Sequence, residues 1–197
     1  MGKIVCLMGK SSTGKDTIYK RILEKGELCL STIVPYTTRP MREGETEGVE
    51  YHFTDEEGFR ALQGAGKVIE DRAYQTFHGL WRYFTVDDGQ ICLKEKNYIV
   101  IGTLEAYSRM CAYFGKEKLV PVLIELDDGV RLSRALTRER SQESPKYEEM
   151  CRRFLADSVD FAEEKIREAG IDRRFCNDDL ERCLGEVVGY LRDELSL

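Results

Sequence analysis

The apolar positions fall into short, unbroken runs separated by longer stretches of helical spacing. Ile4 to Met8 is a run of five. A helical pattern follows from about Lys15 to Lys25, then a second apolar run from Leu28 to Val34. Further along, Tyr98 to Ile101 and Val120 to Leu126 read as strands. A helix through Met110 and Cys111 lies between them, and helical segments span about Asp128 to Ala169. A short strand near Phe175 precedes a last helix over Asp179 to Leu195. A strand that is apolar on both faces and is followed by a helix belongs to a parallel sheet covered on both sides, so the pattern predicts the α/β class.

From about Pro35 to Gln90 this rhythm breaks into polar, glycine-bearing sequence, with Gly44, Gly48, Gly58, Gly64, Gly66, Gly79 and Gly89. An insertion with its own small structure is expected there. A second break, from about Thr137 to Lys146, gathers Arg138, Arg140 and Pro145 between two helices and reads as a lid extending to about residue 157. The expected organisation is a core of residues 1–34 and 91–197, with 35–90 inserted as a unit of its own.

Composition narrows the chemistry. The chain has 197 residues, 42% hydrophobic and 34% charged, which suits one domain with a full core. Thirty Lys and Arg against 36 Asp and Glu leave a net charge of −6, which argues against a polynucleotide partner. Local arginine clusters can still hold a small anion inside an acidic protein. The seven cysteines, at 6, 29, 92, 111, 151, 176 and 183, contain no C-x-x-C pair and read as reduced core residues. His52 and His78 have no second ligand at metal-site spacing, so no built-in metal is expected. The opening apolar run is too short for a signal-peptide core, and no run approaches the ~20 residues of a membrane span. A cytoplasmic protein is expected.

The chemistry-bearing motif is Gly9-Lys10-Ser11-Ser12-Thr13-Gly14-Lys15-Asp16-Thr17, which follows the first strand and opens the first helix. That setting is what a phosphate-binding P-loop needs: glycines for tight backbone geometry, inward N–H groups, the favourable end of a helix dipole, and a lysine for the β and γ phosphates. A Gly/Ser turn with an exposed lysine is the bland alternative. After the lysine, where a Ser or Thr hydroxyl usually meets Mg²⁺, the chain has Asp16 and then Thr17, so magnesium accompanying the nucleotide is expected near one of these.

In the insertion, Thr37-Thr38-Arg39-Pro40-Met41-Arg42-Glu43-Gly44-Glu45, then Gly48, then Tyr51-His52-Phe53, is similar to the phosphate-side signature of guanylate kinases. With the P-loop, these residues identify the chain as resembling that family over nearly its whole length, through Val68-Ile69-Glu70 and the lid arginines to Asn177-Asp178-Asp179-Leu180. The resemblance implies a P-loop NTPase fold with lid and acceptor domain, transferring phosphate from ATP to GMP. It implies ATP contacts from residues 9–17 and Asn177, and acceptor contacts from Arg39, Arg42, Glu45, Tyr51, Glu70, His78 and Thr103. Lys15, Arg39, Arg134, Arg138 and Arg153 are the implied catalytic cations.

The residue types fit these roles. Arginine forks suit a phosphate, and a carboxylate such as Glu70 suits the N1–H and amino donors of guanine. Other base contacts of the family are missing: Pro35 replaces a serine, His78-Gly79-Leu80 replaces Tyr-Gly-Ser, and Thr103 replaces an aspartate. Two alternatives stay open. One is a ribose 1,5-bisphosphate phosphokinase, a related group that also places Asp after the P-loop lysine. The other is a non-catalytic guanylate-kinase-like binding module.

Overall fold

The computed structural model describes residues 1–42, 44–76 and 79–196. Strand β1 (Ile4–Met8) sits at the centre of a five-stranded sheet and is fully buried along its length. It pairs in parallel with β7 (Asn97–Ile101) on one side and β8 (Leu119–Glu125) on the other, with β2 (Leu30–Thr32) and β9 (Arg174–Cys176) at the edges. Alternate side chains of a strand point to opposite faces, and β1 uses both. Ile4, Cys6 and Met8 pack with Tyr107 and Met110 of α3 (Leu104–Phe114) and Ile166 of α6 (Glu163–Glu168). Val5 and Leu7 pack with Ile18 and Ile22 of α1 (Lys15–Lys25) and with Val187 and Leu191 of α7 (Leu180–Leu195). Each such fully buried aliphatic side chain contributes roughly 1.5–3 kcal/mol.

Residues 35–90 carry a second sheet that shares no strand with the first. Its order is β4 (His52–Phe53), β3 (Tyr36–Thr37), β6 (Gly79–Val86) and β5 (Val68–Thr76). Helix α2 (Glu56–Gly64) covers one face. Phe59 meets Phe84 edge-on at 4.9 Å, and Arg82 lies 4.3 Å over the Phe59 ring while its Nε donates to Glu56 at 2.9 Å. The helix starts where Asp55 accepts the Gly58 N–H at 2.8 Å. The other face of β5 and β6 carries Glu70, Arg72, Tyr83 and Thr85, paired across the ladder as Glu70 with Thr85 and Arg72 with Tyr83.

Three expectations are corrected. The second apolar run forms a strand only over Leu30–Thr32, because Cys29 adopts φ 47° in a turn and Leu28 drops into the core instead. The expected break at Thr137 starts later: α4 (Asp128–Arg140) runs on to Arg140. Buried Glu139 holds the following turn by accepting the Lys146 N–H at 3.0 Å, and α5 (Tyr147–Asp160) begins directly afterwards. The cysteines are not uniformly core residues. Cys6 and Cys183 are buried, but Cys29, Cys151 and Cys176 are exposed, Cys29 in its turn and Cys151 on an α5 helix that buries no residue fully. No helix among the described residues is long and apolar enough to cross a membrane.

Candidate active site

The turn between β1 and α1 is built from two left-handed residues, Ser12 at φ 63° and Gly14 at φ 88°. Thr13 closes the turn, its hydroxyl donating to the Lys10 carbonyl at 2.9 Å. Gly14 caps α1 without a side chain, so no side-chain oxygen covers the N–H groups that open the helix. Lys15 stands beside them, half-buried, its Nζ 3.5 Å from Asp16. Behind the loop, buried Asn177 donates Nδ2 to the Thr13 carbonyl at 2.6 Å, and its own N–H bonds to the Glu125 carbonyl. Asn177 Oδ1 and Ser12 Oγ are buried without a hydrogen-bond partner among the described residues. Asp16 and Thr17 lie exposed on the first turn of α1. They offer the hard oxygen donors that a nucleotide-borne magnesium takes, and no cluster of three His, Cys, Asp or Glu among the described residues could cage a metal.

A buried ion cluster that the sequence did not reveal ties helices α4 and α5 to this loop. Arg131 of α4 is completely buried. Its Nε donates to the Ser11 carbonyl at 2.9 Å, Nη2 to Asp157 of α5 at 2.7 Å and Nη1 to Asp128, while its guanidinium lies 4.9 Å from the Phe154 ring. Asp157 in turn accepts the Ser11 N–H at 2.8 Å and the Ser11 hydroxyl at 3.3 Å. A carboxylate thus already sits on a P-loop amide. Of the three expected lid arginines, Arg134 is nearest the loop, with Nη2 3.5 Å from the Asn177 carbonyl. Arg138 is exposed on the last turn of α4, and Arg153 is exposed on α5, paired with Glu149 at 2.7 Å.

On the second sheet, Arg39 and Glu45 are joined to each other. Both terminal nitrogens of Arg39 donate to the carboxylate, at 2.7 and 2.5 Å, and the guanidinium lies 5.0 Å from the Tyr51 ring and 5.6 Å from Phe53. Glu45 also accepts the Arg42 N–H at 2.8 Å, while the Arg42 side chain is exposed and makes no ion pair among the described residues. The open guanidinium fork here is therefore Arg42, and Tyr51 lies beside buried Arg39.

The hydrogen bonds from Arg39, followed by the Arg42 amide and both positive charges, pull Glu45 from 4.5 down to about 2, against a smaller opposing effect of burial. A carboxyl depressed in the folded state stabilises it above the unfolded value, and that contribution is lost as pH falls through about 2. Glu45→Gln should therefore melt below wild type at pH 7 and pH 5, with the gap closing as pH nears 2. A gap that stays constant across thermal melts from pH 7 to pH 2 would show that this charge contributes nothing.

On β5, buried Glu70 accepts the Thr85 hydroxyl at 2.7 Å on one oxygen and Arg72 Nε at 3.2 Å on the other. Thr103 caps α3, its hydroxyl accepting the Ala106 N–H at 3.2 Å. Thr103, Arg72 and Tyr74 line a cavity of about 720 Å³ between β5 and helices α3 and α6. Leu80 is exposed, and the Pro35 carbonyl accepts the His52 N–H at 2.9 Å. His78 lies outside the described residues.

Known proteins resemble this chain in sequence and in fold. The guanylate kinase family model matches residues 1–80. A guanylate kinase of Thermosynechococcus vestitus is 31% identical over 190 residues, covering 93% of this chain and 90% of its own. One of Porphyromonas gingivalis is 28% identical over 190 residues, covering 95% of each. The crystal structure of guanylate kinase from Anaplasma phagocytophilum superposes with a TM-score of 0.64 at 23% identity, covering 98% of this chain and 86% of that one, a likeness of fold. On sequence and fold together, this chain belongs to the guanylate kinase family.

Proposed function

We propose that this protein transfers the terminal phosphoryl group of ATP to GMP, giving ADP and GDP, in the cytosol. The observation that carries the reading is the pairing, in one chain, of a P-loop whose helix-opening N–H groups carry no side-chain cap and stand beside Lys15 with a second sheet that presents Arg42 and Tyr51. An oxygen of the acceptor phosphate attacks the γ-phosphorus as its bond to the β-phosphate oxygen breaks, and the negative charge passes to ADP. The work of the protein is therefore positioning and neutralisation. Lys15 holds the β and γ phosphates. Arg134, Arg138 and Arg153 lie on the two helices that would close over them. Arg42 and Tyr51 hold the acceptor phosphate against the Arg39–Glu45 platform. Glu70 keeps a lone pair on each oxygen for the N1–H and amino group of guanine. Asp16 and Thr17 offer the oxygen donors that would hold a magnesium ion carried in with ATP, which would neutralise phosphate charge there.

ADP release measured across GMP, dGMP, AMP, UMP and ribose 1,5-bisphosphate tests the reading. GMP and dGMP should turn over well and ribose 1,5-bisphosphate not at all. Turnover of the ribose compound without GMP would sink it.

A further inference from the structure

The face of the second sheet that carries Glu70 holds a cation where the base must sit. Arg72 is two residues along β5 from Glu70 on the same face, opposite Tyr83, with a side chain only 18% exposed. Its Nε is committed to Glu70 at 3.2 Å, while its two terminal nitrogens make no hydrogen bond among the described residues. The carboxylate and the guanidinium thus form one rigid, joined edge: two acceptor oxygens at one end and two free donor nitrogens at the other.

A guanine presents the complement of that edge. Its amino group and N1–H are adjacent donors, and O6 and N7 are adjacent acceptors that match an arginine fork. Aromatic rings flank the same spot. Tyr83 meets Tyr51 at 5.6 Å and Tyr74 at 5.8 Å, both edge-on, giving apolar walls for a flat ring. Arg72, Tyr74 and Thr103 also line the cavity of about 720 Å³ described above. That is ample room for a purine.

We propose that Arg72 is a specificity-determining residue that donates from its two terminal nitrogens to O6 and N7 of the acceptor purine, held in place by Glu70. The proposal rests on the GMP reading and deepens it. It supplies the base contact that Pro35, Leu80 and Thr103 do not. It also rejects adenine, whose amino group at the O6 position would point donor against donor at Arg72.

The test compares kcat/KM for GMP, IMP, 7-deaza-GMP and AMP in wild type, Arg72→Leu and Arg72→Lys. A bidentate arginine–guanine contact supports roughly 5- to 150-fold discrimination. In wild type, 7-deaza-GMP, which has lost N7, should be poorer than GMP by about tenfold. IMP, which keeps O6 and N7 but lacks the amino donor that faces Glu70, should keep its ratio to GMP in Arg72→Leu. In Arg72→Leu the penalty for 7-deaza-GMP should vanish and the GMP-to-AMP ratio should fall by at least about tenfold. Arg72→Lys, which keeps the charge but not the fork, should behave like the leucine variant in this respect. The wild-type arm does not depend on any variant folding. Wild type that uses 7-deaza-GMP as well as GMP, or a penalty that survives in folded Arg72→Leu, overturns the proposal while leaving GMP kinase activity standing. Wild type that does not turn over GMP at all overturns both.

Discussion

Lys15→Met is expected to leave no useful phosphoryl transfer, with turnover down by about 10³-fold or more, while the protein stays folded. The side chain contributes almost nothing to the core: its one polar contact is Asp16 at 3.5 Å, and methionine keeps a similar apolar stem. Stability should therefore stay close to wild type, since methionine fills the same half-buried space and breaks no buried hydrogen bond. What is lost is a positive charge at phosphates that become more negative as the γ-phosphoryl bond breaks. In a site closed to water, one such cation is worth about 10³- to 10⁵-fold in rate. Coupled ADP release together with a thermal melt decides the matter. A Lys15→Met protein that turns over like wild type would remove the P-loop assignment.

The parts of the molecule legible in the sequence are those where one physical signal dominates. β1 is apolar on both faces because two helical layers cover it, so Ile4 to Met8 reads as a buried parallel strand without help. α1 keeps its predicted bounds because Gly14 and Gly26 both take left-handed conformations at its ends. Helices α4 and α5 are less legible. On α4 the fully inward positions are Arg131, Ala135 and Glu139, spaced by four, whereas Leu132 is 40% exposed. Apolar periodicity would turn that helix the wrong way, because its inner face is held by the Arg131 ion pairs and the hydrogen bonds that Glu139 accepts. Asp157 is hidden for the same reason: its carboxylate looks solvated until Arg131 and Ser11 are brought to it. Ser12 supplies a left-handed turn residue without being glycine, which no spacing rule predicts. In the second sheet the family motif located Arg39 and Glu45 but not that they bind each other, which leaves Arg42 as the open fork.

Gly14 is a position where a single added carbon should damage the fold and the phosphate loop together. It adopts φ 88°, and a Cβ there would lie 2.3 Å from Asn177 Nδ2, the buried amide that holds the Thr13 carbonyl at 2.6 Å. Gly14→Ala therefore carries two costs. The left-handed backbone is strained by about 1–2 kcal/mol. Asn177, only 2% exposed and with its Oδ1 already unpaired, must move and give up its bond to the loop, at about another 1–3 kcal/mol. Together these lower Tm by roughly 5–15 °C at this chain length. The displaced loop also misaims the N–H groups that should meet the triphosphate, so KM for ATP should rise by about tenfold or more, since misplacement on the order of 1 Å is enough to cost this much. Gly26 provides the control. It too is left-handed, at φ 65°, but nothing lies within 4 Å of a Cβ placed there. Gly26→Ala should show the strain in Tm alone and leave ATP kinetics unchanged. If Gly14→Ala behaves the same way, with KM for ATP intact, then the contact between Asn177 and Thr13 does not set the shape of the phosphate loop.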